Sequence, residues 1–170
     1  MRKIIALFFA LLSIVRCKEN GNITPETPQV PEEKPTEYKI GDLYDVDGVK
    51  GLVFRVDEGG TSGLIVSMTE PETMLAWGLE HVLIGSSIRT SGEQNTAIIY
   101  SLTDWEAKYP AFAWCKSLGN GWYIPSVNEL KELLLIGSSN TFAQAIIDNK
   151  ATPFASDYKY LSSTEMDEIL

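Results

Sequence analysis

Residues 43–68, LYDVDGVKGLVFRVDEGGTSGLIVSM, are the stretch on which the fold turns. Three runs rich in aliphatic and β-branched side chains, Leu43 to Val46, Val49 to Val56 and Leu64 to Met68, are separated by Asp47-Gly48 and by Glu58-Gly59-Gly60. Asp-Gly accepts positive φ at both turn positions, which makes it a strong two-residue hairpin signal, and the glycine-rich break permits a longer turn. The pattern predicts a three-stranded antiparallel meander. Asp45 and Asp47 lack the remaining ligand spacing of a calcium loop and read as a solvated turn.

Downstream, residues 70–100 show no clear period; Gly85-Ser86-Ser87 and the run from Thr90 to Thr96 read as loop before the apolar Ala97-Ile98-Ile99-Tyr100. Pro110 suits a first helical position, and Ala111, Trp114, Cys115 and Leu118 follow on one helical stripe, with Gly119 available to end the helix. Ser126 and Glu129 form a capping box for a second helix burying Val127, Leu130, Leu133 and Leu134. A third helix is expected from about Asn140 to Asn149 on Phe142, Ala145 and Ile146, and Pro153 breaks the chain before a last strand at Tyr158-Lys159-Tyr160-Leu161. Strands followed by about three short helices, without β-α-β alternation, indicate α+β rather than a doubly wound parallel sheet.

Upstream, residues 18–37 carry four prolines and five glutamates and little that is apolar, so they cannot build a core. Spaced prolines and mutual repulsion make this a semi-rigid spacer reaching up to about 60 Å. Before it, Met1-Arg2-Lys3 precedes the apolar run Ile4–Val15, too short for a spanning helix of about 20 residues and readable as a secretory signal over residues 1–16. Ile14-Val15-Arg16-Cys17 resembles a lipobox, with Cys17 as the lipid-attachment residue, although Arg16 stands where a small residue is usual. The alternative is an unprocessed leader with Cys17 as an incidental thiol. Cys17-Lys18-Glu19-Asn20 also resembles the acidic signal that sends Bacteroidetes-type lipoproteins to the outer face of the cell. The expected organisation is residues 1–16 signal, 17–37 anchor and tether, and 38–170 one globular domain. The expected location is the cell envelope, as an outer-membrane lipoprotein held to the membrane by its N-terminal lipid.

Removing residues 1–16 takes away three basic residues and no acidic ones, leaving 11 basic against 23 acidic, net −12. Such a chain repels phosphate backbones, and without a basic patch no nucleic-acid partner is expected. With Cys17 lipidated, Cys115 is the one remaining cysteine, so no internal disulfide supports the domain.

Several segments together carry a resemblance: Tyr38-x-Ile-Gly-Asp42, Gly51-Leu-Val-Phe54, Ser91-Gly92 with Asn95-Thr96, Pro110-Ala-x-Ala-Trp-Cys115, Gly121-Trp-Tyr-Ile-Pro-Ser126 with Glu129-Leu130, and Leu161-Ser-Ser-Thr-Glu165. From residue 38 to 165 they resemble the Lcl C-terminal domain family, close to the Fibrobacter major paralogous domains. That resemblance implies a C-type-lectin-like fold of the kind found in bacterial surface lipoproteins and adhesins. It also implies further strands after the Ser-Ser-Thr-Glu stretch, so the domain is expected to be truncated at its C-terminus.

A fold family is a scaffold more than an activity, and function rests on the site. The calcium-dependent sugar motifs of C-type lectins do not occur, and Glu93-Gln94-Asn95 is a superficial echo; no metal and no cofactor are expected. The sole histidine, His81, has no second histidine or cysteine cluster with which to hold zinc, and neither Ser86 nor Ser87 sits in the context of an activated nucleophile. Asp104 and Glu106 read as solvated acids rather than a glycosidase pair, so no catalytic residue is assigned. Of Trp77, Trp105, Trp114 and Trp122, Trp105 between two acids has the best claim to exposure, and the loop from Arg89 to Asn95 is a second place for ligand contact. Arg89, Asn95 and Trp105 are therefore the candidate binding residues. The leading reading is a non-catalytic recognition or adhesion domain for a glycan or a surface protein. Others are a structural envelope or fimbria-associated component, and a polysaccharide hydrolase whose signatures are missing.

Overall fold

The computed structural model describes residues 37–78, 82–154 and 160–165, and the backbone of residues 5–7. Its centre is an antiparallel sheet in which β2 (Leu43–Val46), β3 (Val49–Val56) and β4 (Gly63–Ser67) form the expected meander. Val46 lies opposite Val49, so the hairpin loop is Asp47-Gly48 alone, and both residues have positive φ, 51° and 79°. That is the mirror-image turn whose twist matches the strands it joins.

The second hairpin contains a bulge. Val53 faces Ile65 and Arg55 faces Leu64, which leaves Phe54 as the extra residue. Phe54 then joins the apolar cluster of Leu52, while Arg55 reaches Glu132, 3.2 Å away. Two successive residues thus turn toward one face, where regular alternation would separate them.

Helices cover both faces of the sheet. On one side Val53, Ile65 and Trp122 pack with Ile99 of α1 (Gly92–Tyr100) and with Ala111, Phe112 and Cys115 of α3 (Pro110–Ser117). The short α2 (Trp105–Lys108) packs beside them through Trp105. On the other side Leu52, Phe54, Leu64, Val66 and Tyr123 meet Leu133 of α4 (Val127–Gly137) and Phe142 and Ile146 of α5 (Asn140–Asp148). A strand buried on both faces needs apolar residues in succession rather than in alternation, which accounts for Leu52-Val53-Phe54 and Leu64-Ile65-Val66.

The α+β class stands, with five helices among the described residues rather than three. The stretch expected as loop from Thr90 to Thr96 opens α1: Ser91 has extended φ and ψ, and its side chain accepts from the Gln94 backbone N–H. The stripe on α3 shifts by one position, since Phe112 is fully buried and Trp114 only partly. On α4, Leu130 and Leu133 are buried, but Leu134 is 38% exposed and Leu135 72%. Of the last expected strand, Tyr158 and Lys159 lie outside the described residues, and Tyr160 and Leu161 are not in a strand; Tyr160 instead packs edge-on against Phe154.

The sheet continues past the meander. β1 (Ile5–Leu7) lies between β4 and β5 (Trp122–Tyr123), antiparallel to both, in the order β2-β3-β4-β1-β5. Three residues of a segment whose composition reads as a leader therefore occupy an inner sheet position.

Candidate functional site

Ser91-Gly92, Asn95-Thr96, Ser126 with Glu129, and Ser163-Thr164-Glu165 converge on a largely buried belt where α1, α4 and residues 160–165 meet. Ser126 caps α4, and Glu129, three residues on, returns the bond to the Ser126 N–H at 2.7 Å, the reciprocal pairing expected from sequence. The same oxygen of Glu129 accepts from Gly92 N–H at 2.8 Å, and the other accepts from the Tyr123 hydroxyl at 3.1 Å. Gly92 is required there, because a Cβ would stand 2.3 Å from the Ile124 carbonyl oxygen and 2.6 Å from the Ser126 nitrogen. Burial, then the charge of Glu129 beside it, pushes the Tyr123 phenol well above its ordinary pKa.

Asn95 is the second knot. Its carbonyl oxygen accepts from Ile88 N–H at 3.0 Å, and its amide donates to the Ile88 carbonyl at 2.6 Å and to Ser163 and Thr164 hydroxyls. The Thr164 hydroxyl in turn donates to the Ile88 carbonyl and accepts from Val127 N–H, while Ser163 donates from both backbone and side chain to the Pro125 carbonyl. Glu165 ends the belt by accepting from the Ile84 and Gly85 backbone N–H groups at 2.9 Å. Buried polar groups are expensive without partners, and here the partners are one another.

This geometry corrects one sequence expectation. Asn95 is fully buried and its amide is spent on holding the 84–92 loop and the 160–165 segment, so it presents nothing to a ligand in solvent. Arg89 is exposed, and its carbonyl accepts from Asn128 N–H. Trp105 is half-buried, packed on the α1–α3 core with its ring 4.4 Å from that of Tyr100. None of the three lines the cleft described below. Trp77 and Trp122 belong to the core as well, Trp77 edge-on to Tyr109 and Phe112 and donating to the Ser162 carbonyl. Cys17 and His81 lie outside the described residues.

Cys115 is fully buried, and loss of solvation pushes its thiol up to about 12 despite a hydrogen bond with Tyr100, so it stays protonated and unreactive at neutral pH. Asp104 and Glu106 are both exposed at the N-terminal end of the short α2, and Asp45 pairs with Lys50 at 3.0 Å. Among the described residues no three histidine, cysteine or carboxylate side chains gather in a way that could hold a metal ion. Among them, too, no helix is long and apolar enough to cross a membrane.

The open concavity lies elsewhere, at the end of the β3–β4 hairpin. Val53, Leu64 and Ile65 contribute apolar lining, and Tyr38, Tyr44, Arg55, Thr61 and Ser62 the remainder. The Tyr38 and Tyr44 rings meet at 5.5 Å, tilted by 46°, and Tyr38 N–H donates to the Gly60 carbonyl, tying the segment before β2 to the hairpin turn. Arg55 is no free cation: it lies 3.2 Å from Glu132 and 3.7 Å from Asp57. Aromatic rings and hydroxyls over an apolar floor suit a ligand with an apolar face and polar edges. In sequence, Tyr38 opens the first of the motif segments but carries no sign of a ligand, and Thr61-Ser62 after two glycines are ordinary turn residues. No family model matches the chain, and neither does any curated protein or solved structure.

Proposed function

We propose that this chain is an envelope lipoprotein whose globular part is a divergent C-type-lectin-like domain of the Lcl C-terminal kind, recognising a glycan without catalysis. Cys17 carries the lipid, and the proline-rich tether holds the domain off the membrane. The observation that carries the recognition reading is the cleft between Tyr38 and Tyr44 and the Thr61-Ser62 turn, which sets the half-buried Tyr38 ring, packed on the buried Tyr44, beside two exposed hydroxyl residues. Its ligand is neutral or basic, because the chain without residues 1–16 bears net charge −12. The motif residues support the family reading through their convergence on one buried belt.

The test is a glycan array probed with the full chain carrying Cys17→Ser, followed by titration of hits with Tyr38→Ala and Thr61→Ala. The expected result is at least tenfold weaker binding in both variants. Glycan binding indifferent to both would move the site elsewhere, and binding to no glycan would leave the structural-component reading in its place. Mass spectrometry of the exported N-terminus tests lipidation of Cys17 separately.

A further inference from the structure

One inner position of the sheet is filled from a distant part of the chain. β5 joins the sheet through β1: Trp122 pairs with Ala6 and Tyr123 with Ile5, while β4 takes Leu7, Ala6 and Ile5 against Leu64, Ile65 and Val66. Without β1, one edge of β4 and one edge of β5 face each other across an empty strand position, with their backbone donors and acceptors unpaired.

The walls of that position define what it takes. Ile65 and Trp122 belong to the cluster on the α1–α3 side, and Leu64, Val66 and Tyr123 to the cluster on the α4–α5 side. A strand between them is covered on both faces, so it must be apolar at successive positions; an amphipathic edge strand would bury its polar side. Ile5-Ala6-Leu7 meets that demand, within the run Ile4–Val15.

We infer that the gap between β4 and β5 is a strand-acceptor site: Ile5–Leu7 fills it while the leader is retained, and after release of residues 1–16 an extended, wholly apolar segment donated by a partner polypeptide takes its place, antiparallel to β4. The second half of this inference rests on the leader reading above; the acceptor property does not. Processing and partner capture are thereby linked, since cleavage before Cys17 removes the resident strand.

The experiment is amide hydrogen exchange over residues 63–67 and 122–123 in the full, unexported chain and in its Ala6→Pro variant, with and without a peptide of residues 3–9. Proline lacks the backbone donor and is excluded from inner strands. Exchange at these amides is expected to rise at least tenfold in Ala6→Pro and to fall back on adding the peptide, but not on adding one of alternating lysine and leucine. Refolding of an unstable variant by the peptide counts equally for the site. Wild-type protection in Ala6→Pro, a variant that the peptide does not restore, or equal restoration by the alternating peptide would each overturn it. Failure of the leader reading shows independently, as an intact N-terminus on the exported product.

Discussion

The belt around Glu129 and Asn95 and the cleft beside Tyr38 are both rich in polar groups, and they are opposites. In the belt, hydroxyls, an amide and two carboxylates face backbone N–H and carbonyl groups from distant segments, and the side chains of Asn95, Ser126 and Ser163 are wholly buried. At the cleft, Thr61 and Ser62 are exposed, and the Ser62 hydroxyl donates to Asp57, five residues away, at 3.1 Å. Most polar motif residues therefore mark this fold's joints, and the surface on which binding is proposed joins the aromatic Tyr38 to turn residues that look unremarkable in sequence. Buried polar partners hold chain segments in one arrangement because any other leaves a donor or acceptor unpaired.

That contrast can be broken first at Glu129. Glu129→Ala removes the acceptor for Gly92 N–H, Ser126 N–H and the Tyr123 hydroxyl, and a loss of about 3–5 kcal/mol is expected in urea unfolding. A loss below about 1 kcal/mol would mean that the belt is not a structural joint. Gly92→Ala should follow at about 2–3 kcal/mol, because its new methyl group meets backbone oxygen and nitrogen rather than yielding side chains; thermal unfolding measures it.

A pH titration sharpens the comparison further. Cys115 is held up to about 12, and burial also raises Tyr100 and Tyr123 above their usual values, so the folded state favours their neutral forms. The stability this provides is complete below the unfolded pKa values near 9 and 10 and is lost as pH rises through the folded ones. Phenolate absorbance from Tyr100 and Tyr123 should then appear only with alkaline unfolding, and thiol reagents should reach Cys115 in the folded chain only slowly. Free titration of these tyrosines in folded protein would contradict their burial. The smallest effect belongs to the cleft: Thr61→Ala should change stability by no more than about 0.5 kcal/mol, as an exposed surface substitution, while weakening ligand binding.

Much of the fold was legible locally. Asp47-Gly48 specifies its turn through its own φ preferences, Ser126 and Glu129 cap α4 from within one turn, and Pro110 starts α3, because each signal lies within a few residues. The helix after Ser91 was missed although its cap was present, since Gly92 and Asn95 are poor helix formers, and the burial of Gly92 against Ile124–Ser126 and of Asn95 against Ile88, Ser163 and Thr164 outweighs that propensity. Asn95 was misassigned for a related reason: a polar residue after a glycine looks the same whether its partners are water or Ile88, Ser163 and Thr164. The cleft was illegible because it is assembled from residues 38, 44 and 61–65, which only strand pairing brings together.

By itself, the sequence determined the meander, three of the helices and the acidic net charge, all set by neighbouring residues or by composition. Only the tertiary structure decided which polar groups are hidden, that Tyr38 and Tyr44 meet beside the Thr61-Ser62 turn, and that an apolar N-terminal strand lies between β4 and β5. Those are contacts between segments far apart in the chain, and their energies depend on what is excluded from water rather than on which residue follows which.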